Sequence, residues 1–205
     1  MVDKSSDTKE KILKTAISIF REKGKDGAKM QEIADGAGIN KAMLHYYFSS
    51  KDQLFQEVFK ITAVAYFSNI NKIVQSNGSI EEKIVQLCHV YIDMALQNPY
   101  LPVFMIAEMH RSPSDFFKHI FSDKKDKPDL ISFKKQIEEE VVKGKIKPIK
   151  PIQLIFNILS LCVFPVVSRP MMQFVGSISD KEFVQMMEER KKLVPQLIWS
   201  SIQKN

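Results

Sequence analysis

The sequence predicts an all-α protein, and three features of the 205-residue chain indicate this fold class. Apolar residues recur at intervals of three and four, whereas alternation with a period of two is never sustained. Ser or Asp is followed three residues later by Glu or Gln ahead of four of the apolar runs, which is the pattern of a helix N-terminal capping box. Gly and Pro fall between the runs. We therefore expect about nine helices.

Four helices are predicted in the first 75 residues. The first begins at Asp7 and ends at Gly24, a residue type that commonly terminates helices. A short segment over residues 29–37 follows, and Gly38 ends it. The next short helix follows Asn40, with Lys41 and Ala42 at its N-terminal end. Ser50 then caps a longer helix that extends to about residue 75.

Five further helices are predicted downstream, and most of them have recognisable boundaries. They cover residues 80–97, the apolar stretch PYLPVFMIAEMHRSP, residues 129–142, residues 151–167 and residues 180–202. Pro195 lies inside the last pattern, where a kink is expected. The polar segment SDKKDKPD, Ser122 to Asp129, is predicted to be a mobile loop.

The composition is that of a soluble globular protein, with 44% hydrophobic and 26% charged residues. The formal net charge of +6 favours polyanionic partners only weakly. Residues 1–60 contain 11 Lys and Arg against 9 Asp and Glu. A nucleic-acid interface in this region must therefore depend on where the basic residues stand.

Two observations argue against secretion and membrane insertion. The N-terminus MVDKSSDTKEKI lacks the apolar core of a signal peptide. The longest apolar stretch, residues 152–167, is interrupted by Gln153, Asn157 and Pro165, which favours a buried helix over a membrane span. We expect a cytoplasmic protein with no membrane partner.

Cysteine and histidine give no indication of a metal site or cofactor. The only cysteines, Cys88 and Cys162, stand in apolar helical contexts and are predicted to be buried, reduced thiols. His89, His110 and His119 lack the spacing of a metal-binding set. We expect no metal and no cofactor.

The segment that starts near Lys29 has the pattern of a helix-turn-helix, two short helices joined by a tight turn that contains Gly. The turn is Gly38-Ile39-Asn40, and Asn40 can cap the second helix. Leu44 and Phe48, with Met43 as a further candidate, are predicted to pack inward. The outward-facing residues are then Lys41, Ala42, His45 and Tyr46.

These exposed residue types suit the major groove of DNA. Lys41 can donate to guanine, and the methyl group of Ala42 permits close approach to a thymine methyl. The hydroxyls of Tyr46 and Tyr47 can reach phosphate oxygens. Lys51 stands in the first turn of the following helix, whose N–H groups also favour phosphate.

Residues from Thr8 to about Phe59 resemble the TetR family of bacterial transcriptional regulators. The resemblance rests on KEKILKTAISIF, Gly24, the EIADGAGI turn and above all LHYYFSSKDQLF. It implies a three-helix DNA-binding domain over residues 1–50 and an all-α ligand-binding and dimerisation domain over residues 51–205. It also implies a homodimer that binds a palindromic double-stranded DNA operator.

The resemblance assigns DNA contacts to a set of residues in and around the helix-turn-helix. Two departures from the family pattern stand out: Ala28-Lys29-Met30 replaces a frequent small polar pair, so Lys29 becomes a substitute phosphate contact, and His45 replaces a frequent tyrosine. The predicted DNA-binding residues are Lys29, Asn40, Lys41, Ala42, His45, Tyr46, Tyr47 and Lys51.

The resemblance also implies an apolar pocket for a small apolar or amphipathic effector. Glu108 is the one carboxylate in a strongly apolar run; facing the pocket, it favours a cationic or hydrogen-bonding ligand, and facing solvent it has no such role. The predicted pocket residues are Tyr66, Phe67, Ile70, Cys88, Tyr91, Phe104, Met105, Glu108, Met109 and Phe133.

The helices at residues 151–167 and 180–202 are more apolar than the surface of a monomer. Two such helices from each subunit can form a four-helix dimer interface, which the resemblance favours; burial in the core of one chain is the alternative.

The predicted function is that of a ligand-responsive transcriptional regulator that represses. The long helix from residue 51 to about residue 75 would transmit the response. An activator and an effector-independent DNA-binding protein are the alternatives. The sequence contains no Walker loop, Rossmann fingerprint, H-E-x-x-H or G-x-S-x-G motif, so we do not expect an enzyme.

Overall fold

The computed structural model describes residues 4–121 and 128–204, and most of these residues are helical. The described part contains eleven helices: α1 Lys4–Gly27, α2 Met30–Gly36, α3 Lys41–Tyr47, α4 Lys51–Gln75, α5 Ile80–Gln97, α6 Tyr100–Arg111, α7 Pro113–Ile120, α8 Leu130–Val142, α9 Pro151–Val167, α10 Arg169–Gly176 and α11 Asp180–Ile202. Extended pairing in these ranges is limited to one isolated antiparallel bridge between Ile146 and Gln203. The all-α prediction is confirmed.

Two short helices, α7 and α10, were not expected from the sequence. Each has eight residues and carries a proline in its first two positions, where the fixed φ angle of proline suits a helix start. Such short elements bury too little apolar surface to leave a clear periodic pattern. Residues 122–127 of the predicted polar loop lie outside the described residues.

The predicted boundaries of the first helix were partly wrong. The helix already includes Lys4, so Asp7 lies within its first turns, where its negative charge suits the helix dipole. The interruption at Gly24 is confirmed, because this residue has a φ of 67° inside α1. That left-handed conformation is accessible to glycine at little cost.

The chain divides into two compact units, one up to Ala65 and one from Tyr66. In the first unit, α1, α2 and α3 pack around a small apolar core, and Phe20 meets Phe55 edge-on with ring centroids 5.0 Å apart. The core residues with least exposure include Ile12, Ala16, Ile33, Ala34, Leu44, Phe48 and Leu54. The boundary at residue 50, which separates the predicted DNA-binding domain from the predicted ligand-binding domain, stays a prediction.

In the second unit, α5 packs against both α9 and α11. The buried side chains of α5 repeat at helical spacing and include Ile84, Cys88, Ile92 and Ala95. Cys88 and Cys162 are both buried and free, as predicted. Among the described residues no single helix is long and apolar enough to cross a membrane; only α9 and α10 taken together reach that length, and they meet at a bend of 64°.

A buried lysine joins three helices of the second unit. Lys83 is 2% exposed, and its Nζ donates to the Val74 carbonyl at 2.7 Å and to Gln136 Oε1 at 2.5 Å. Gln136 Nε2 in turn donates to the Gly78 carbonyl at 2.9 Å. Burial lowers the pKa of Lys83. Because Val74 lies in the last turn of α4, its carbonyl has no partner within the helix, and Lys83 supplies one.

We expect Lys83→Met to lower the free energy of unfolding by about 1–3 kcal/mol, because two buried acceptors lose their donor. Urea unfolding followed by the fluorescence of Trp199, the single tryptophan, measures the change. Lys72→Met removes an exposed charge from the same end of α4 and should have little effect. Equal stability of the two variants would show that the Lys83 contacts do not stabilise the fold.

Candidate nucleic-acid interface and effector cavity

The turn between α2 and α3 is set by backbone hydrogen bonds and one glycine. Gly38 N–H donates to the Asp35 carbonyl at 3.1 Å, and Ile39 N–H donates to the Ala34 carbonyl at 3.0 Å. Gly38 has a φ of 69°, which disfavours any residue with a Cβ. The chain therefore leaves α2 abruptly and enters α3 after a short turn.

Asn40 caps α3 as predicted. Its Oδ1 accepts a hydrogen bond from Met43 N–H at 2.8 Å, which satisfies one of the free donors at the helix start. On the inner side, Leu44 and Phe48 are 0% and 2% exposed, so their predicted inward packing is confirmed. The inward placement of Met43 was wrong, since this side chain is 43% exposed. It lies about 100° around the helix from Leu44 and misses the core.

The opposite side of α3 presents four exposed residues: Lys41, Ala42, His45 and Tyr46. Tyr46 is 85% exposed, and its ring meets that of Tyr47 edge-on at 5.5 Å. Tyr47 is half-buried, and its hydroxyl lies 3.4 Å from Ser5 Oγ. Of the two tyrosines, Tyr46 therefore projects freely, whereas Tyr47 is also held against α1.

Lys51 is half-buried and has a structural contact that the sequence did not reveal. Its Nζ donates to the carbonyls of Asp26 and Ala28 at 3.3 and 3.2 Å. The ammonium thus ties the start of α4 to the last turn of α1 and to the segment that follows it. One N–H remains for another acceptor, so a phosphate contact would share this lysine with the fold.

The capping prediction at the start of α4 is also confirmed. Gln53 N–H donates to Ser50 Oγ at 3.1 Å, and Gln53 Oε1 accepts from Ser49 N–H at 2.8 Å.

Lysines in the first unit differ in whether an acidic residue neutralises them. Lys23 pairs with Glu32 at 3.2 Å, and the hydrogen bond from Lys23 lowers the pKa of Glu32. Lys25 pairs with Asp52 at 3.2 Å. The exposed Lys29 and Lys41 form no ion pair with any described residue. Their positive charge is therefore available to an external anion.

A cavity of about 20 Å³ lies in the second unit, between α4, α5, α8 and α9. It is lined by Ile70, Val74, Leu87, Tyr91, Leu130, Phe133, Ile155 and Ile158. Three of these, Ile70, Tyr91 and Phe133, belong to the predicted pocket set. The other five were missed because helical periodicity marks an aliphatic residue as buried without showing whether it borders a cavity.

The remaining residues predicted to line a pocket lie elsewhere in the second unit. Tyr66 and Cys88 are buried, and Phe67 packs against Phe121 with ring centroids 4.9 Å apart. Glu108 pairs with Arg111 at 2.5 Å and does not line this cavity. Three others are half-buried on α6: Phe104, Met105 and Met109.

The described side chains include no cluster of three or more His, Cys, Asp or Glu that could hold a metal ion. The side chain of His119 lies outside the described residues.

Helices α9 and α11 have apolar residues on two sides. Their inner sides are buried, with Leu154 and Ile158 on α9 and Val194 and Ile198 on α11. Their outer sides expose further large apolar residues, which we call the outer apolar face: Ile152, Phe156, Phe164, Met186, Leu193 and Leu197. Exposure of 55% at Phe156 and 59% at Leu197 is unusual for a surface that stays in water.

Comparison with known proteins gives consistent matches. The family described as "Bacterial regulatory proteins, tetR family" matches residues 12–58. The chain is 31% identical over 144 residues to the biofilm operon icaADBC negative transcriptional regulator IcaR of Staphylococcus aureus, covering 69% of this chain and 74% of the relative. It is 22% identical over 151 residues to the transcriptional repressor KstR2 of Mycolicibacterium smegmatis, covering 74% and 73%.

Solved structures show the same fold. A TetR-family regulator structure from Mesorhizobium loti superposes with a TM-score of 0.64 at 21% identity, covering 98% of this chain and all of that one.

We expect Asn40→Ala to destabilise α3 by about 1 kcal/mol, because Met43 N–H loses its acceptor. Hydrogen exchange of the α3 amides should accelerate about fivefold as a result. Asn40→Ser keeps an acceptor oxygen and should leave exchange nearly unchanged. Similar exchange rates in both variants would show that the cap does not control the stability of α3.

Proposed function

We propose that the chain, which belongs to the TetR family of bacterial regulatory proteins, is a transcriptional repressor that binds a palindromic operator as a homodimer and is released by a small-molecule effector. The relatives IcaR and KstR2 carry names that describe negative regulation and repression, which favours a repressor over an activator. Proteins of this family are DNA-binding transcriptional regulators and are not enzymes.

The proposal rests above all on α3, which has one buried side and one exposed side. Its inner side is anchored through Leu44 and Phe48, so its outer side is presented at a fixed orientation. Lys41 and Ala42 stand in the first turn, which is the end of a recognition helix that contacts base edges. Lys41 would donate to guanine, and Ala42 would allow close approach to a thymine methyl.

The other predicted contacts would fix the register on the DNA backbone. Tyr46 is 85% exposed and would reach a phosphate, and Lys29, just before α2, would offer its ammonium group to another. Tyr47 and Lys51 would contact phosphate while also holding α3 and α4 in place. His45 lies between the two groups and would contact either a base or a phosphate.

The outer apolar face on α9 and α11 supports the homodimer. A second copy of the same face can cover it in a four-helix arrangement with twofold symmetry. Such symmetry matches a palindromic operator whose half-sites lie about 34–36 Å, or a multiple of that distance, apart. The homodimer would act in the cytoplasm without a membrane partner.

Release by an effector requires two states of the dimer that differ in operator affinity. The cavity is lined by Ile70 and Val74 of α4, and α4 is continuous from Lys51 to Gln75. A small apolar or amphipathic molecule that enlarges the cavity would shift α4 and favour the state in which the two recognition helices are wrongly spaced.

Selection of bound sequences from a random DNA pool tests the proposal directly, followed by a search for compounds that release the selected DNA. A strong preference for one palindrome supports a specific regulator, whereas equal binding to all sequences supports the effector-independent alternative. A reporter gene placed behind the selected sequence separates repression from activation.

Lys41→Ala should weaken binding to the selected operator by about 1–3 kcal/mol and relax the preference at one base pair, because a base contact is lost. Fluorescence anisotropy with the operator and with single-base variants measures both effects. Lys181→Ala removes the same charge from an exposed position on α11 and serves as the control. A uniform loss across all base variants would contradict the assignment of Lys41 to a base.

Leu197→Glu should convert the dimer to a monomer, because it places a charge in the outer apolar face. Sedimentation velocity measures the state of association, and operator affinity should fall by at least about tenfold because one half-site is lost. Val142→Glu introduces the same charge at an 86% exposed position on α8 and should have no effect. An unchanged dimer in Leu197→Glu would place the interface elsewhere.

A further inference from the structure

The hydroxyl of Tyr66 is buried and makes no hydrogen bond of normal geometry with any described residue. Tyr66 is 7% exposed, and the polar side chain that interacts with it is that of Tyr91. Leaving a buried hydroxyl unsatisfied costs free energy, and native proteins rarely do so without a reason. A phenylalanine at this position would fill nearly the same space without that cost.

Tyr66 lies beside the cavity without lining it. It lies one helical turn before Ile70 on α4, and Ile70 lines the cavity. Its ring also meets that of Tyr91 at 5.5 Å and 72°, and Tyr91 lines the cavity itself. Tyr91 is in turn one helical turn beyond Leu87, another lining residue. Tyr91 is therefore the one lining residue with a polar side-chain group, and Tyr66 packs directly behind it.

The pair of tyrosines is neutral. Burial raises the pKa of Tyr66 and of Tyr91 above the usual tyrosine range, so both hydroxyls keep their protons at physiological pH. Hydrogen bonding with the Cys88 thiol, and burial, likewise raise the pKa of Cys162. None of the eight described lining residues carries a charge. A charged group placed in this cavity would find no oppositely charged side chain among these eight residues, which disfavours it.

We infer that the effector is an uncharged, largely apolar molecule with one hydrogen-bond acceptor, to which the Tyr66 hydroxyl donates beside Tyr91. This inference rests on the proposed function, because it names the class of molecule that acts through the cavity. The present volume of about 20 Å³ holds no more than a water molecule. A larger molecule must displace lining side chains, and this displacement would shift α4.

The predicted class of effector is tested with a series of 2-alkanones that have five to ten carbons. Carboxylates and primary amines of the same chain lengths serve as the charged counterparts. Isothermal titration calorimetry on the full chain measures binding. At least one ketone should bind about tenfold more tightly than its charged counterparts, and Tyr66→Phe should weaken ketone binding about tenfold, which corresponds to one hydrogen bond. Tyr100→Phe removes an exposed hydroxyl from α6 and should leave binding unchanged.

Thermal unfolding of the ligand-free variants provides a second, independent measurement. Tyr66→Phe should unfold at the same temperature as the unmodified protein or higher, because the substitution removes an unsatisfied polar atom. A clearly lower temperature would show that the hydroxyl is already satisfied, for example by water, and would overturn the inference. Equal or tighter binding of a carboxylate or an amine, absence of ketone binding, or unchanged ketone binding by Tyr66→Phe would also overturn it.

Operator binding measured on the same samples separates this inference from the proposed function. Selective operator binding without ketone binding overturns the ligand class alone. Ketone binding that depends on Tyr66, in a protein that prefers no DNA sequence, supports the cavity chemistry and contradicts the repressor function.

Discussion

The burial of Leu44 and Phe48 is the interaction on which the presentation of the candidate DNA-binding surface depends. Helix α3 has seven residues, and a helix of that length is unstable by itself in water. Two buried side chains and the Asn40 cap hold it in place, so the residues on its other side need no contacts within the protein. Lys41 and Tyr46 can therefore be exposed without loss of order.

The candidate interface was largely predictable because its determinants are local in sequence. The glycine turn, the Asn40 cap and the alternation of buried and exposed sides of α3 all follow from neighbouring residues. The contact of Lys51 with the carbonyls of Asp26 and Ala28 was not predictable, because those atoms lie more than twenty residues away in the chain. The sequence does not distinguish a lysine of a first helical turn that points to solvent from one that donates hydrogen bonds to the carbonyls of another segment.

In the second unit, the sequence did not predict which buried residues line the cavity. Spacing correctly marked Ile70 and Phe133 as buried, and it included Tyr91, which is half-buried, yet it marked dozens of other apolar positions in the same way. Which of them border a cavity depends on how α4, α5, α8 and α9 meet, and this is decided by tertiary packing. The buried Lys83 was missed for a related reason, since its partners Val74 and Gln136 come from two other helices. Short helices such as α7 and α10 were missed because eight residues carry little periodic information.

The outer apolar face on α9 and α11 has a consequence for how such a regulator would respond to its own abundance. Under the proposed homodimer, a single chain exposes this face and cannot engage both halves of a palindrome. At concentrations below the dimer dissociation constant, the amount of dimer then grows with the square of the amount of chain. Halving the supply of the protein would lower the concentration of dimer about fourfold in that range, by mass action alone. The number of copies per cell would thus act as a second input to the promoter, alongside the effector.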